Sequence, residues 1–417
     1  MKRTNLLAPS GLLLAFLLST VSAVPLIYSA QTASVATPPA VQTKPITIPF
    51  ELANRHIMLK VQINNAHQLS FVLDTGDKYA IIDLDRASEL GLQLGSTVRM
   101  QGAGSETPTG AFVRDASFSI PGLDGFSQPL NLALPIKRLA ARLGQDFDGI
   151  IGHDFIKNFV VEIDYQARHL KLHDKKSFSY AGPGESVPIK INYAGHPIID
   201  AEVTPVGGEP IKGKFVVDIG SGLALALHSP TVRARNLPGP NTKTIKSLGL
   251  TGAGGAVGGQ LGRVAELKVG SFRLKNPITF FSEDTAGAFA NSELVGNIGA
   301  QAMNRFRVFL DYERERIILE PSSMFEKSYD RAFTGLSINA EGKDYRTFRV
   351  TDVLENSPAS EIRLQKDDVI FEIDGRPASG FTLSKLNELF ERPVSYELTV
   401  KRGDQTVKVR LTPRMMV

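Results

Sequence analysis

Hydrophobic and polar positions alternate in several short runs along this chain. In residues 57–64 (IMLKVQIN), Ile57, Leu59, Val61 and Ile63 alternate with Met58, Lys60, Gln62 and Asn64, the period of a half-buried strand. A continuous apolar run at 71–73 then ends on Asp74-Thr75-Gly76, and apolar residues resume at 80–82. The same order returns later. Ile199, Ala201 and Val203 alternate with Asp200, Glu202 and Thr204, and the apolar run 215–217 ends on Asp218-Ile219-Gly220. A short helix is expected after each aspartate. The first has Asp85 as its N-cap and Gly91 at its end, and the second opens on Ser229-Pro230; both caps stand eleven residues after the aspartate.

Further along, residues 147–172 and 294–320 resemble one another. Ile150-Ile151-Gly152 answers Asn297-Ile298-Gly299, at 78 and 81 residues from the aspartate to the last glycine, and Asp164-Tyr165 answers Asp311-Tyr312. These matches predict an internal duplication of two β lobes. Glycines at 102 and 104, and from 249 to 262, predict a mobile hairpin in one lobe and a flap over a cleft in the other. A polar Gly/Pro stretch at 174–186 divides the lobes. After Pro321 the pattern changes to strands at 348–353, 369–373, 394–400 and 406–411, with a helical apolar stripe at Leu383, Leu386, Leu389 and Phe390.

Composition narrows the class. The chain has 417 residues, 42% hydrophobic and 22% charged, with 37 Gly and 24 Pro, as expected of a folded, turn-rich protein of several domains. A net charge of +4, no Trp and no basic block give no sign of a nucleic-acid partner. The lack of Cys excludes disulfides, thiolate metal sites and a cysteine nucleophile. Lys2-Arg3, the apolar core 11–18 and small residues ending at Ala23 or Ala30 predict an export signal over 1–30, with a Pro/Thr/Ala-rich linker at 31–45. No stable membrane span is expected after signal cleavage. The expected location is the periplasm or cell envelope, with secretion as an alternative.

An Asp-x-Gly step alone is ordinary turn chemistry. Two such steps, each closing a buried strand in a repeated lobe, predict that Asp74 and Asp218 meet. Carboxyls that close share one proton, and such a pair can activate water on one side and donate to a carbonyl oxygen on the other. Other motifs are weaker. His169 and His173 share a strand face without a third ligand, Ser221 lacks the G-x-S-x-G frame, and the glycines at 249–262 lack a phosphate-loop lysine. No metal and no cofactor is expected.

Asp74-Thr75-Gly76 with Ile150-Ile151-Gly152, and Asp218-Ile219-Gly220 with Asn297-Ile298-Gly299, resemble the aspartic peptidases of the retropepsin–pepsin clan, and more narrowly the bacterial two-lobe type with a signal peptide and a C-terminal PDZ domain. The resemblance implies a mainly β fold: two pseudo-symmetric acid-protease-like β lobes, 46–178 and 186–321, followed by a small α+β PDZ-like domain at 333–414. It implies Asp74 and Asp218 as catalytic residues, supported by Thr75, Gly76, Asp77, Gly220 and Ser221. Ile219 stands where the family has Thr, and Asp77 where it has a small residue. A third carboxylate there is expected to oppose ionisation of the pair unless Lys78 offsets it, so its removal is expected to move the acid limb of activity to lower pH. The C-terminal resemblance rests on Asn356-Ser357-Pro358-Ala359, on 364–370 and on Ile373-Asp374-Gly375. It implies a peptide strand added beside 348–353 and against the helix, through Phe348, Arg349, Val350, Leu383 and Leu386, with a carboxylate-binding loop near 344–347. The implied function is an exported aspartic endopeptidase acting on a peptide or protein substrate, with a possible second peptide ligand on the PDZ-like domain. The competing expectation is a non-catalytic peptide-binding or scaffolding protein of the same fold.

Overall fold

The structure, a computed structural model, describes residues 44–417. The expected signal, and all of the linker except Lys44 and Pro45, lie outside the described residues.

The molecule is mainly β. A ten-stranded sheet carries the first aspartate, a fourteen-stranded sheet carries the second, and a six-stranded sheet forms the C-terminal domain. The larger sheet crosses between the lobes: Phe159–Asp164 pairs antiparallel with Phe306–Asp311, Val161 facing Leu310. The apolar residues of both lobes meet in one core that includes Phe71, Leu73, Phe155, Phe215, Val217 and Phe306.

Strand His56–Ile63 buries Ile57, Leu59, Val61 and Ile63 as its alternation requires, but Met58 is buried too. The reverse face of the sheet is covered at that point by a second cluster that includes Ile136, Ala140 and Leu143. The runs 71–73 and 215–217 are buried on both faces, which is why they read as continuous apolar segments.

The two aspartate-bearing strands have the same neighbours. His67–Leu73 pairs in parallel with Gly149–Ile151, and Ile211–Asp218 in parallel with Gly296–Gly299. The helices that follow are capped one or two residues earlier than expected. Asp83, not Asp85, caps Leu84–Glu89. One oxygen of its buried carboxylate accepts from Asp85 and Arg86, and the other accepts from the Ile136 and Lys137 N–H groups. Those distant donors decide between two nearby aspartates. In the second lobe His228 is the cap of Ser229–Ala234 and makes no side-chain capping bond, so Ser229 is already helical. The equal offsets of eleven residues therefore do not join equivalent caps.

The C-terminal domain has its own core, including Phe348, Leu364, Ile370, Leu386 and Leu398. It is nonetheless pinned to the first lobe. The Asn54 N–H donates to Ser384 Oγ (2.8 Å), Asn387 Nδ2 donates to Asn54 Oδ1 (3.0 Å), and Arg142 Nη1 donates to Ser337 Oγ (2.6 Å). Glu391 lies between Arg55 and Arg331. Among the described residues, no helix is long and apolar enough to cross a membrane.

Candidate active site

Asp74 leaves its strand with its N–H bonded to the Ile151 carbonyl (2.9 Å), and Asp218 pairs with Gly299 at the end of its own strand. The turns that follow bring the two carboxyls together, so that the ideal Cβ position of Gly76 lies 2.9 Å from Asp218 Oδ1 and 3.1 Å from Asp74 Oδ1. The glycines pack crosswise. A Cβ on Gly220 would lie 2.0 Å from Asp74 Cγ, and one on Gly76 would lie 2.9 Å from Asp218 Oδ1. Neither position can carry a side chain while the pair stays in place. The Gly76 N–H donates to Asp74 Oδ1 (2.7 Å). Gly152 is needed for a different close approach, since a Cβ there would meet the Asp77 carbonyl oxygen at 2.1 Å.

Thr75 ties the lobes beneath the pair. Its fully buried hydroxyl donates to the Val217 carbonyl (2.6 Å) and accepts from the Ile219 N–H (2.9 Å). Ile219, in the matching position, is wholly buried in the apolar core, so the crosslink is made from one side. Thr75→Val is expected to lower stability by about 2–3 kcal/mol, because it leaves a buried carbonyl and a buried N–H without partners. Denaturant unfolding of the variant beside the wild type measures this.

Ser221 supports its loop through the backbone. Its N–H donates to the Asp218 carbonyl (3.2 Å) and its carbonyl accepts from Ala300 (2.8 Å), while among the described residues its hydroxyl bonds to neither aspartate.

Burial, then the charge of Asp218, then that of Asp77, hold the Asp74 carboxyl well above the ordinary carboxylate value. Burial pushes Asp77 up to about 7, against the backbone N–H groups of Tyr79 and Lys78. Lys78 does not compensate it with charge: its ammonium turns away to the Tyr193 carbonyl (3.3 Å). Burial also lowers the nearby His56 and His196, which the Asp218 charge raises only in part.

Two residues absent from the expected site belong to it. Asn297 Nδ2 donates to Asp218 Oδ2 (2.8 Å), and Asn297 Oδ1 meets His228 Nε2 (2.8 Å). The sequence signal was Asn297 itself, a polar residue in an otherwise apolar buried strand.

The pair opens on a cavity of about 1360 Å³. Its roof comes from both lobes. The hairpin of Gln93–Arg99 and Thr109–Arg114 meets the glycine loop of the second lobe, where the Glu106 N–H donates to the Gly254 carbonyl and the Gly254 N–H to the Ala103 carbonyl (both 2.8 Å). Leu336, Ser337, Leu383 and Phe390 of the C-terminal domain line the same cavity.

The C-terminal groove differs from expectation. Strand Thr347–Val353 is bonded to a neighbour on each side, Leu336–Glu341 along its length and Val369–Ile373 at Phe348 and Arg349. Phe348 and Val350 are fully buried, as is Leu386 on the helix, and Arg349 is engaged with Glu341. These residues build the domain and leave no edge for a peptide. The edge strands are Gln405–Leu411 and Leu336–Glu341, the latter entered from Gly335 at φ +79° and packed against the first-lobe helix Ala140–Leu143. The loop leading into Leu336–Glu341 is 333–335, whereas 344–346 belongs to the connection between the two strands and Thr347 already pairs with Glu341.

His169 and His173 are half-buried, and His173 Nε2 contacts Glu162 Oε2 (2.9 Å).

Comparison with known proteins agrees with this architecture. Residues 59–155 match the aspartyl protease family model, and residues 322–401 match the PDZ domain model. The chain thus carries an aspartyl protease-like segment and a PDZ domain. A curated protein of Staphylococcus haemolyticus (strain JCSC1435), described as a probable CtpA-like serine protease, is 21% identical over 134 residues, which are 32% of this chain and 25% of that protein. The chain therefore spans about a quarter of that relative's length.

Proposed function

We propose that this chain is an exported endopeptidase of the periplasm or cell envelope that hydrolyses peptide bonds with a water held between Asp74 and Asp218. The observation that carries the reading is the facing carboxyl pair at the floor of a roofed cavity, with glycines where any side chain would part it. Asp74, the member pushed up, starts with the shared proton. Asp218 takes a proton from the water as its oxygen bonds to the peptide carbon, and Asp74 gives its proton to the carbonyl oxygen. The tetrahedral diol then collapses: the C–N electron pair leaves with the nitrogen, which takes the proton from Asp218, and a diol hydroxyl returns its proton to Asp74.

A serine mechanism finds less support. A serine–lysine contact exists, Lys60 Nζ to Ser70 Oγ at 3.0 Å, but it is a cross-strand pair outside the cavity lining. The C-terminal domain supports holding a peptide near the cleft, because its Leu336, Ser337, Leu383 and Phe390 border the same cavity as the aspartates. Ile219 and Asp77 favour the competing reading, a peptide-binding protein without turnover.

Incubation of the protein with a peptide library across a wide pH range, with Asp74→Asn as the control, tests the proposal. Cleavage that is lost in the variant is expected. Binding without cleavage at every pH would favour the non-catalytic reading.

A further inference from the structure

We propose that Arg142 is a specificity-determining residue that takes a carboxylate of the bound peptide, a reading that rests on the cavity being the peptide's site, as in the proposed function. Arg142 stands where both lobes and the C-terminal domain meet. Its helix, Ala140–Leu143, belongs to the first lobe and packs against strand Leu336–Glu341 of the C-terminal domain. Asn54 Nδ2 donates to the Arg142 carbonyl (2.6 Å), which holds the backbone in place. The guanidinium reaches Ser337 of the C-terminal domain, where Nη1 donates to Oγ (2.6 Å). Gly249, in the glycine loop of the second lobe, lies against it: a Cβ there would stand 2.7 Å from Nη1 and 3.0 Å from Cζ. Arg142 borders the cavity that holds Asp74 and Asp218.

The charge of Arg142 is unanswered. Among the described residues its guanidinium makes that one hydrogen bond, to a neutral hydroxyl, and no ion pair. Burial lowers it below the ordinary arginine value, and Asp352 offsets this only in part. Asp352 acts through space, since its Oδ1 is taken by the Val353 N–H (2.9 Å). Other cations of the cavity are engaged. Arg55 and Arg331 share Glu391, and Lys78 is on the Tyr193 carbonyl. Across from Arg142, Lys246 is exposed and, among the described residues, has no acidic partner. The next residue, Ser247, is 8% exposed, and its hydroxyl has no hydrogen-bond partner among the described residues. Arg142, Lys246 and Ser247 line the main cavity together, and they also line a smaller one beside it. Two cations without a carboxylate and a buried hydroxyl with a proton to give are the complement of a carboxylate. The flat guanidinium matches such a group with two parallel N–H bonds. Arg142 bonds to neither aspartate, so its part is to choose the peptide and not to cleave it. A peptide carries the group in two places, its free C-terminus and its Asp or Glu side chains.

Three pools of short randomised peptides separate those sources. One contains Asp and Glu and is amidated at the C-terminus, one lacks acidic residues and ends in a free carboxylate, and one has neither. Retention and cleavage of each pool by the whole protein are read by mass spectrometry. The wild type is expected to favour a carboxylate-bearing pool over the third by about tenfold to a hundredfold in kcat/KM, the range of one hydrogen bond to a charged group. The favoured pool identifies the source. Arg142→Gln can still donate to Ser337 Oγ, and it should lower the favoured pool to the level of the third. A merely structural strap would lower all pools by one factor and keep the preference. Lys246→Gln, on the exposed strand, should reduce the preference by about threefold and carries the test if Arg142→Gln fails to fold. Equal cleavage of the three pools by the wild type, or a preference unchanged in the variants that fold, would overturn the proposal and leave hydrolysis standing. Preferential retention of a carboxylate pool without cleavage would reject hydrolysis and leave the Arg142 site standing. Retention of no pool would overturn both.

Discussion

Asp74→Asn and Asp218→Asn are each expected to reduce kcat/KM by about four orders of magnitude or more, with the fold intact. Each change keeps the shape of the side chain and removes one of the two oxygens that must exchange a single proton. The loss should fall on kcat, since the cavity walls are untouched. Stability should hold or rise in Asp74→Asn at neutral pH, because a neutral amide replaces a group that burial and two neighbouring carboxylates disfavour as an anion. Peptide assays and denaturant unfolding on the same preparations separate the two effects. Cleavage that survives both variants would place the chemistry elsewhere. Gly220→Ala should match the aspartate variants in activity, as its methyl would occupy the space of the Asp74 carboxyl.

The second large effect is expected at Asp77. With its carboxyl pushed from 3.8 to about 7, the folded protein favours the protonated form. The stability linked to that proton is fully present below the unfolded value near 4 and is lost as pH rises through about 7. A shift of about three units corresponds to at most about 4 kcal/mol. Asp77→Asn should therefore be more stable than the wild type at pH 8 and equal to it at pH 4, which unfolding at the two pH values measures. Activity follows the same sign. With Asp77 favoured in its protonated form below about pH 7, its removal is expected to leave the acid limb in place. Above pH 7 its charge helps Asp74 keep its proton. Removing it should bring the basic limb down by about one unit. An unchanged basic limb together with unchanged stability at pH 8 would mean that Asp77 is ionised at lower pH than its burial implies.

The central pair was legible because its determinants are local. An apolar run that closes on Asp-x-Gly describes both the strand and the turn, and an apolar-apolar-Gly segment is the neighbour strand in the same few letters. What escaped depends on distant partners. Asn297 and His228 stand 69 residues apart, and neither belongs to a motif without the other. Asp83 is chosen as a cap by N–H groups more than fifty residues away. The C-terminal groove failed for a related reason. Residues 336–341 and 348–353 are both good strands, but edge position depends on the whole order of a sheet, and alternation within one strand cannot show it.

The sheet that runs from Phe159–Asp164 into Phe306–Asp311 has a mechanical consequence. Lobes sharing a continuous backbone ladder cannot swing apart as jaws do, so the floor of the cavity is rigid. The roof, by contrast, is held at its seam by the Glu106–Gly254 and Gly254–Ala103 backbone bonds, with the Ala288 N–H on the Gly102 carbonyl beside them (3.0 Å). A roof that parted at this seam would open the cavity from above while the floor stayed fixed. Under the proposed function, such an opening would suit an extended tail or unfolded stretch better than an intact domain.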